Sequence, residues 1–307
     1  MRIGVIDLDT SHPAAFSPLL RDQGHDVVAV LGGRTVVDDA STRAYAREHR
    51  IASVVTDPVE MAGLVDAVFV HSVDWNLHLD RVRVLAEHDI PVHVGKPFAG
   101  RASDLRELVE LEAAGARICG GSALRWSSVV QAWVEAGRTA RMGFAASFGH
   151  PLDYGVHAYS LLQGLLGPGI EAARTVDGRD RLVELRWRDG RCAVVGLVTD
   201  RRSHRYPATV VTDDGVEHLD AADGGLYGPF LDVTVPYLAG ELELPITFGE
   251  LVEPELAAIA ALASSHHGGA WIGLVDDPRI DDVSFDSTRF VADYRAARRE
   301  RLGLAPR

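Results

Sequence analysis

Three side chains in this chain of 307 residues have the types and spacing for proton transfer: Lys96, Asp153 and His157. Lys96 follows an apolar run at 91–94 and precedes Pro97, which halts a strand and leaves the ammonium at its carboxyl end. Open α/β sheets take their ligands on that side. An ammonium there suits proton transfer to a carbonyl oxygen, or its polarisation; a lysine facing solvent is the alternative. Asp153 and His157 stand four apart, so a helix shows them on one face. Imidazole titrates near neutrality and serves as acid or base at physiological pH. The same two residues also fit a helix N-cap and a buried, hydrogen-bonded histidine.

A second constellation comprises Asp7, Asp9, His12, His71, Asp74 and His78. The first three close the first strand and open its helix, and His71 ends the fourth strand. A parallel sheet brings those ends to one rim. Histidine and carboxylate together can hold zinc, manganese or iron, with His12, His71 and Asp74 as the candidates. Their spacing matches no metal motif, and Asp9 or Ser11 fits a helix cap beside Pro13, so no metal is expected. Trp75, Trp126 and Trp133 could wall a pocket for a sugar or cyclitol ring, and Arg125 could meet a carboxylate or phosphate there. Core packing is the alternative for each tryptophan.

The elements that must position these groups follow from periodicity. Strand-like runs at 2–6, 26–31, 53–55, 67–71, 91–94 and 117–119 alternate with helix-length segments at 13–23, 40–49, 58–65, 77–88 and 102–114. That alternation predicts a parallel sheet covered on both faces. Beyond it come a helix at 123–137, a strand at 142–148 and a helix at 155–166 that stops at Gly167-Pro168-Gly169. Strands at 181–187, 191–199 and 208–212, with turns at Asp189-Gly190 and Asp214-Gly215, predict an antiparallel sheet. Helices follow at 230–238, 250–266 and 287–302. The expected fold is α/β. A Rossmann-like, doubly wound domain spans 1–121, and an α+β domain on an open, mostly antiparallel sheet spans 122–307, with the last helix able to pack back on the first domain.

A net charge of −13 and a pI near 5.4 argue against nucleic acid or an anionic membrane as partner, since both ask for a basic face. Cys119 and Cys192 are far apart and fit no metal or redox spacing, so two reduced thiols are expected. With no leader-like segment and no apolar run of membrane length, a cytoplasmic location is expected.

The first strand and turn read Arg2-Ile-Gly-Val-Ile-Asp7-Leu-Asp9-Thr-Ser-His12, placed like the opening of a dinucleotide-binding domain. The three positions that G-x-G-x-x-G fills with glycine hold Asp7, Asp9 and His12, setting two carboxylates where a pyrophosphate would lie. With Val65-Asp-Ala-Val-Phe-Val70, Lys96-Pro97, Asp153-Tyr-Gly-Val-His157 and Gly167 in order along most of the chain, the sequence resembles the Gfo/Idh/MocA oxidoreductases. The Asp9-Thr-Ser-His12 turn and Gly32-Gly33 resemble a divergent branch of that family. Gly95 stands where the family has an acid before the lysine, and Gly32 where an acid would grip the ribose.

The resemblance implies an NAD(P)-dependent oxidoreductase on a sugar, cyclitol or related hydroxy or keto compound. Lys96 and His157 would assist hydride transfer, with Asp153 binding substrate or tuning the histidine. NAD or NADP would lie along Asp7, Asp9, Thr10, Ser11, His12, Gly33 and Arg34, with Ser72, Asp74, His78 and Lys96 at the nicotinamide end; Arg34 would favour a 2′-phosphate. Trp75, Arg125, Trp126, Asp153 and Tyr154 would contact a small-molecule substrate. A homo-oligomer, dimer or tetramer, is implied through the open sheet face. The alternative is a non-redox lyase, epimerase or hydrolase, with or without a metal, on a scaffold that has lost nicotinamide binding; the missing glycines point that way.

Overall fold

The computed structural model describes residues 1–33, 35–176, 181–199, 205–222 and 224–304. Its first sheet holds β1 (Arg2–Ile6), β2 (Asp26–Leu31), β3 (Ser53–Val55), β4 (Ala67–Val70), β5 (Val92–Gly95) and β6 (Ile118–Gly121). All pair in parallel in the order β3-β2-β1-β4-β5-β6. β4 and β5 are buried at every position, as strands covered on both faces must be. The connecting helices are α1 (His12–Asp22), α2 (Asp39–Glu48), α3 (His78–Ala86) and α4 (Ala102–Ala113). The strand order reverses between β1 and β4, the switch point where such sheets open a crevice.

The helix expected at 58–65 is only a 3-10 turn, Pro58–Met61. Asp57 caps it as its side chain accepts from Val59 N at 2.9 Å, but Gly63 at φ +76° ends it. The segment expected as one helix at 123–137 divides into a 3-10 turn, Ala123–Trp126, and α5 (Ser128–Glu135), because Ser127 is extended and caps the second piece.

The second sheet contains β7 (Met142–Phe148), β8 (Ile170–Val176), β9 (Arg181–Trp187), β10 (Cys192–Val198), β11 (Pro207–Val211), β12 (Val216–Asp220) and β13 (Ile272–Gly273). Its order is β12-β11-β7-β10-β9-β8-β13, with β7 and β10 parallel and the other described pairs antiparallel. One face is covered by α6 (Gly155–Leu166) and α9 (Glu253–His266), both apolar almost all round and correspondingly buried. Phe144 and Leu182 on this sheet remain 42% and 40% exposed. Helix α7 (Tyr227–Leu238) packs on β5, β6 and α1, and α8 (Phe248–Leu251) on β6, α4 and α9.

The last helix, α10 (Thr288–Arg301), returns to the first domain. Its Val291 joins a cluster with Val5, Leu8, Val36 and Val73, which closes over the carboxyl rim of β1, β2 and β4. No helix among the described residues is long and apolar enough to cross a membrane. Cys119 is buried and Cys192 exposed, both as free thiols.

Candidate active site

Lys96 leaves the end of β5 and donates from Nζ to the Asp153 carbonyl at 2.7 Å and to Asp153 Oδ1 at 2.6 Å. Both side chains are nearly buried, 13% and 10% exposed, so this pair is shielded from solvent and holds the ammonium in one place. Tyr154 lies beneath it, its ring centroid 5.1 Å from Nζ. Asp153 precedes α6 rather than joining it. His150 Nδ1 accepts from Leu152 N and Asp153 N at 3.2 and 3.1 Å and so fixes the turn that presents the carboxylate. Behind the lysine, Glu255 accepts from Phe98 N, and burial pushes its carboxyl up to about 8. His78 lies with its ring nitrogens 3.0 Å from Pro97 O and 3.1 Å from Ser72 O, tying the β4 and β5 ends together.

His157, on the first turn of α6, sits across a small cavity from Lys96. Its Nδ1 is 2.8 Å from Ser122 Oγ. Burial, then the charge of Lys96, holds its pKa well below the usual imidazole value, so it is neutral at pH 7. The cavity measures about 60 Å³, enough for a reacting polar group rather than a whole sugar ring, and also meets His12, His71, His93, Tyr206 and Tyr227. Among the described residues, His71 Nδ1 and both nitrogens of His93 are buried without a hydrogen-bond partner. Each such group costs about 1–3 kcal/mol. Their position on the cavity marks where a ligand's polar groups would be satisfied.

The first turn is arranged differently from a phosphate cradle. Asp7, fully buried at φ +67°, forms an ion pair with Arg81, which also donates to Ser72 Oγ. The Asp7 carboxylate fills the space above Gly33, where a Cβ would run into Oδ1. Asp9, also fully buried, accepts from Val36 N at 3.1 Å and Val73 N at 3.2 Å, spanning the loops after β2 and β4. Burial raises the pKa of both acids. Helix α10 lies over them: Tyr294 Oη donates to Asp9 O, Arg298 to Thr10 O, and the buried Arg299 to Val36 O at 2.6 Å. A pyrophosphate in this turn would meet two carboxylates and a packed helix, so the residues present do not fit a dinucleotide there.

Of the other residues singled out, Thr10 receives His12 N on its hydroxyl, and Ser11 stands at the start of α1 with no side-chain cap bond. Asp74 caps the 3-10 turn Trp75–Leu77 and receives the Ser287 hydroxyl. Trp75 is 1% exposed; it donates to Phe285 O at 2.7 Å and packs against Phe290 of α10, away from the cavity. Arg125 and Trp126 face a different cavity, described below. Arg34 lies outside the described residues. Among the described residues no group of three or more His, Cys, Asp or Glu is arranged to hold a metal. Sequence reasoning missed His93, Ser122, His150 and Arg81; the signal for His93 was a lone histidine inside a strand otherwise apolar.

No family model matches the sequence, and no curated protein matches it. Solved structures do. The protein is similar to a probable dehydrogenase from Thermotoga maritima, with 18% identity over 89% of this chain and 99% of that one and a TM-score of 0.74. It is similar to myo-inositol dehydrogenase from Lactobacillus casei, solved with NAD(H) and myo-inositol (17%, 89% and 96%, 0.72). The WlbA dehydrogenase from Bordetella pertussis, solved with NADH and UDP-GlcNAcA, gives 18%, 90% and 99%, and 0.73. The chain has the fold of these dehydrogenases. At such identities the likeness carries the fold and leaves the chemistry to the site.

Proposed function

We propose that this protein is an enzyme that transfers a proton at a hydroxyl or keto group of a small sugar- or cyclitol-like molecule. The observation that carries the proposal is the convergence of Lys96, locked by Asp153, and neutral His157, held by Ser122, on one cavity. Lys96 donates a hydrogen bond to the reacting oxygen. His157, with Nδ1–H given to Ser122 Oγ, presents a lone pair at Nε2 and takes the proton. His71 and His93 meet polar atoms at the reacting end of the substrate, which Tyr206 and Tyr227 border, and the remainder of the substrate lies outside this cavity.

The first form of this reading is a dehydrogenase, supported by the fold shared with structures solved with NAD(H) alongside myo-inositol or a nucleotide sugar. NAD or NADP would supply the hydride chemistry. Because the β1 turn does not fit a pyrophosphate, no hydride step follows from these residues. The filled turn favours a second form in which the same pair performs a non-redox proton transfer, as an epimerase or lyase does. Adding NAD(H) and NADP(H) while following tryptophan emission separates the two: saturable quenching supports the dehydrogenase, and its absence supports the cofactor-free enzyme. Mass spectrometry of whatever co-purifies identifies the substrate. Both forms fail if Lys96→Met and His157→Gln turn that substrate over at the parent rate.

A further inference from the structure

A mostly apolar cavity on the second domain lies toward the other end of α6 from His157. It has a volume of about 530 Å³ and is walled by Trp126, Val130, Trp133, Leu166, Val233 and Ile246. That volume is within the range of small-molecule sites, roughly 300–1,000 Å³. His157 on the first cavity and Leu166 on the second are nine residues apart on one helix, about 13 Å along its axis.

Arg125 lines this cavity and is 9% exposed. Its guanidinium carbon stands 5.0 Å from the Trp126 ring centroid, and among the described residues its Nε is buried without a hydrogen-bond partner. The Trp126 indole N–H is likewise buried and unpartnered. The nearest acids are committed elsewhere. Glu253 accepts from Gly169 N, Ile170 N and Gln163 Nε2, and Glu250 closes a capping box with Thr247. Burial lowers the pKa of Arg125 to about 10, which leaves it charged at pH 7. A buried guanidinium without an anion is costly, and the cost is offset when a carboxylate takes its fork in two parallel hydrogen bonds. Arg138 also lines the cavity but is paired with Glu217 and lies over the Trp133 ring, and Glu135 stands on the same wall, so Arg125 is the cation left for a ligand and the mostly apolar lining matches a monoanion with an apolar body better than a phosphate dianion.

We infer that this cavity is a second ligand site, separate from the Lys96 pocket, that takes a small aromatic or branched carboxylate with its anion on Arg125. The probes are phenylacetate and 4-methylpentanoate, with phenylacetamide as the neutral control, read by thermal shift and calorimetry on the full chain. The expected result is saturable binding of at least one carboxylate, at least tenfold tighter than the amide. Arg125→Met should lose at least tenfold of that affinity, and Val233→Trp should abolish binding by filling the cavity. Should Arg125→Met fail to fold, Val233→Trp and the amide comparison decide. The inference is overturned if neither carboxylate binds, if the amide binds equally well, or if binding survives in whichever of the two variants fold.

Discussion

Replacing Arg81 by methionine tests the claim that the first turn is built around an internal ion pair. Asp7 has no exposed side-chain surface and Arg81 is 11% exposed, so the substitution leaves a carboxylate buried without its counterion. Breaking such a pair from one side costs about 3–5 kcal/mol. For a slope near 3 kcal/mol/M, the urea midpoint should fall by about 1–1.7 M. The effect has a definite pH dependence. Burial already raises the Asp7 pKa, and Arg81 is the largest influence opposing that rise. Without Arg81 the folded-state pKa climbs further, so the penalty is full above that value and shrinks as pH falls toward about 4, where Asp7 is protonated in both states. Arg81→Met combined with Asp7→Asn should recover most of the loss, since asparagine tolerates the left-handed backbone at this position. A midpoint shift below about 0.3 M, or equal shifts at pH 5 and pH 8, would refute the reasoning.

Three further outcomes are expected. Burial lowers the pKa of seven imidazoles: His12 and His78 to about 4, His93 to about 3, and His25, His71, His150 and His157 in the same direction. Their folded values lie below the unfolded value near 6.5, so unfolding takes up protons and stability should fall from pH 6.5 toward pH 4. The raised Asp7, Asp9, Glu112, Glu253 and Glu255 act in the opposite sense but are outnumbered by the imidazoles; urea midpoints that stay level on acidification would contradict this. Lys96→Met and His157→Gln should each lower kcat/KM about 100-fold or more on the identified substrate, with melting temperature as the control for folding. Self-association through the uncovered sheet face is expected, and Phe144→Lys with Leu182→Lys, both exposed there, should shift the protein to monomer in sedimentation velocity. An unchanged sedimentation coefficient would count against that face.

The parallel sheet was legible because its strands are short, apolar and regularly punctuated, and the hairpins were legible from Asp189-Gly190 and Asp214-Gly215. Strand β8 escaped notice because Glu171, Ala172 and Ala173 favour a helix, and only pairing with β9 and β13 keeps them extended. Lys96, Asp153 and His157 were found together because a strand end and a helix start set their places locally. The pairing of Asp7 with Arg81 spans 74 residues and that of Trp75 with Phe285 spans 210, and no periodicity reports such contacts. Arg125 and Trp126 were grouped with the substrate pocket, yet the 3-10 turn followed by extended Ser127 places them on the second cavity.

The most direct measurement is an NMR titration of the ¹⁵N-labelled histidines. His157 should stay neutral well below pH 6.5, and Lys96→Met should move its titration upward by removing the neighbouring positive charge. An ordinary titration near the usual imidazole value, indifferent to Lys96→Met, would contradict the picture of a neutral base facing a fixed ammonium.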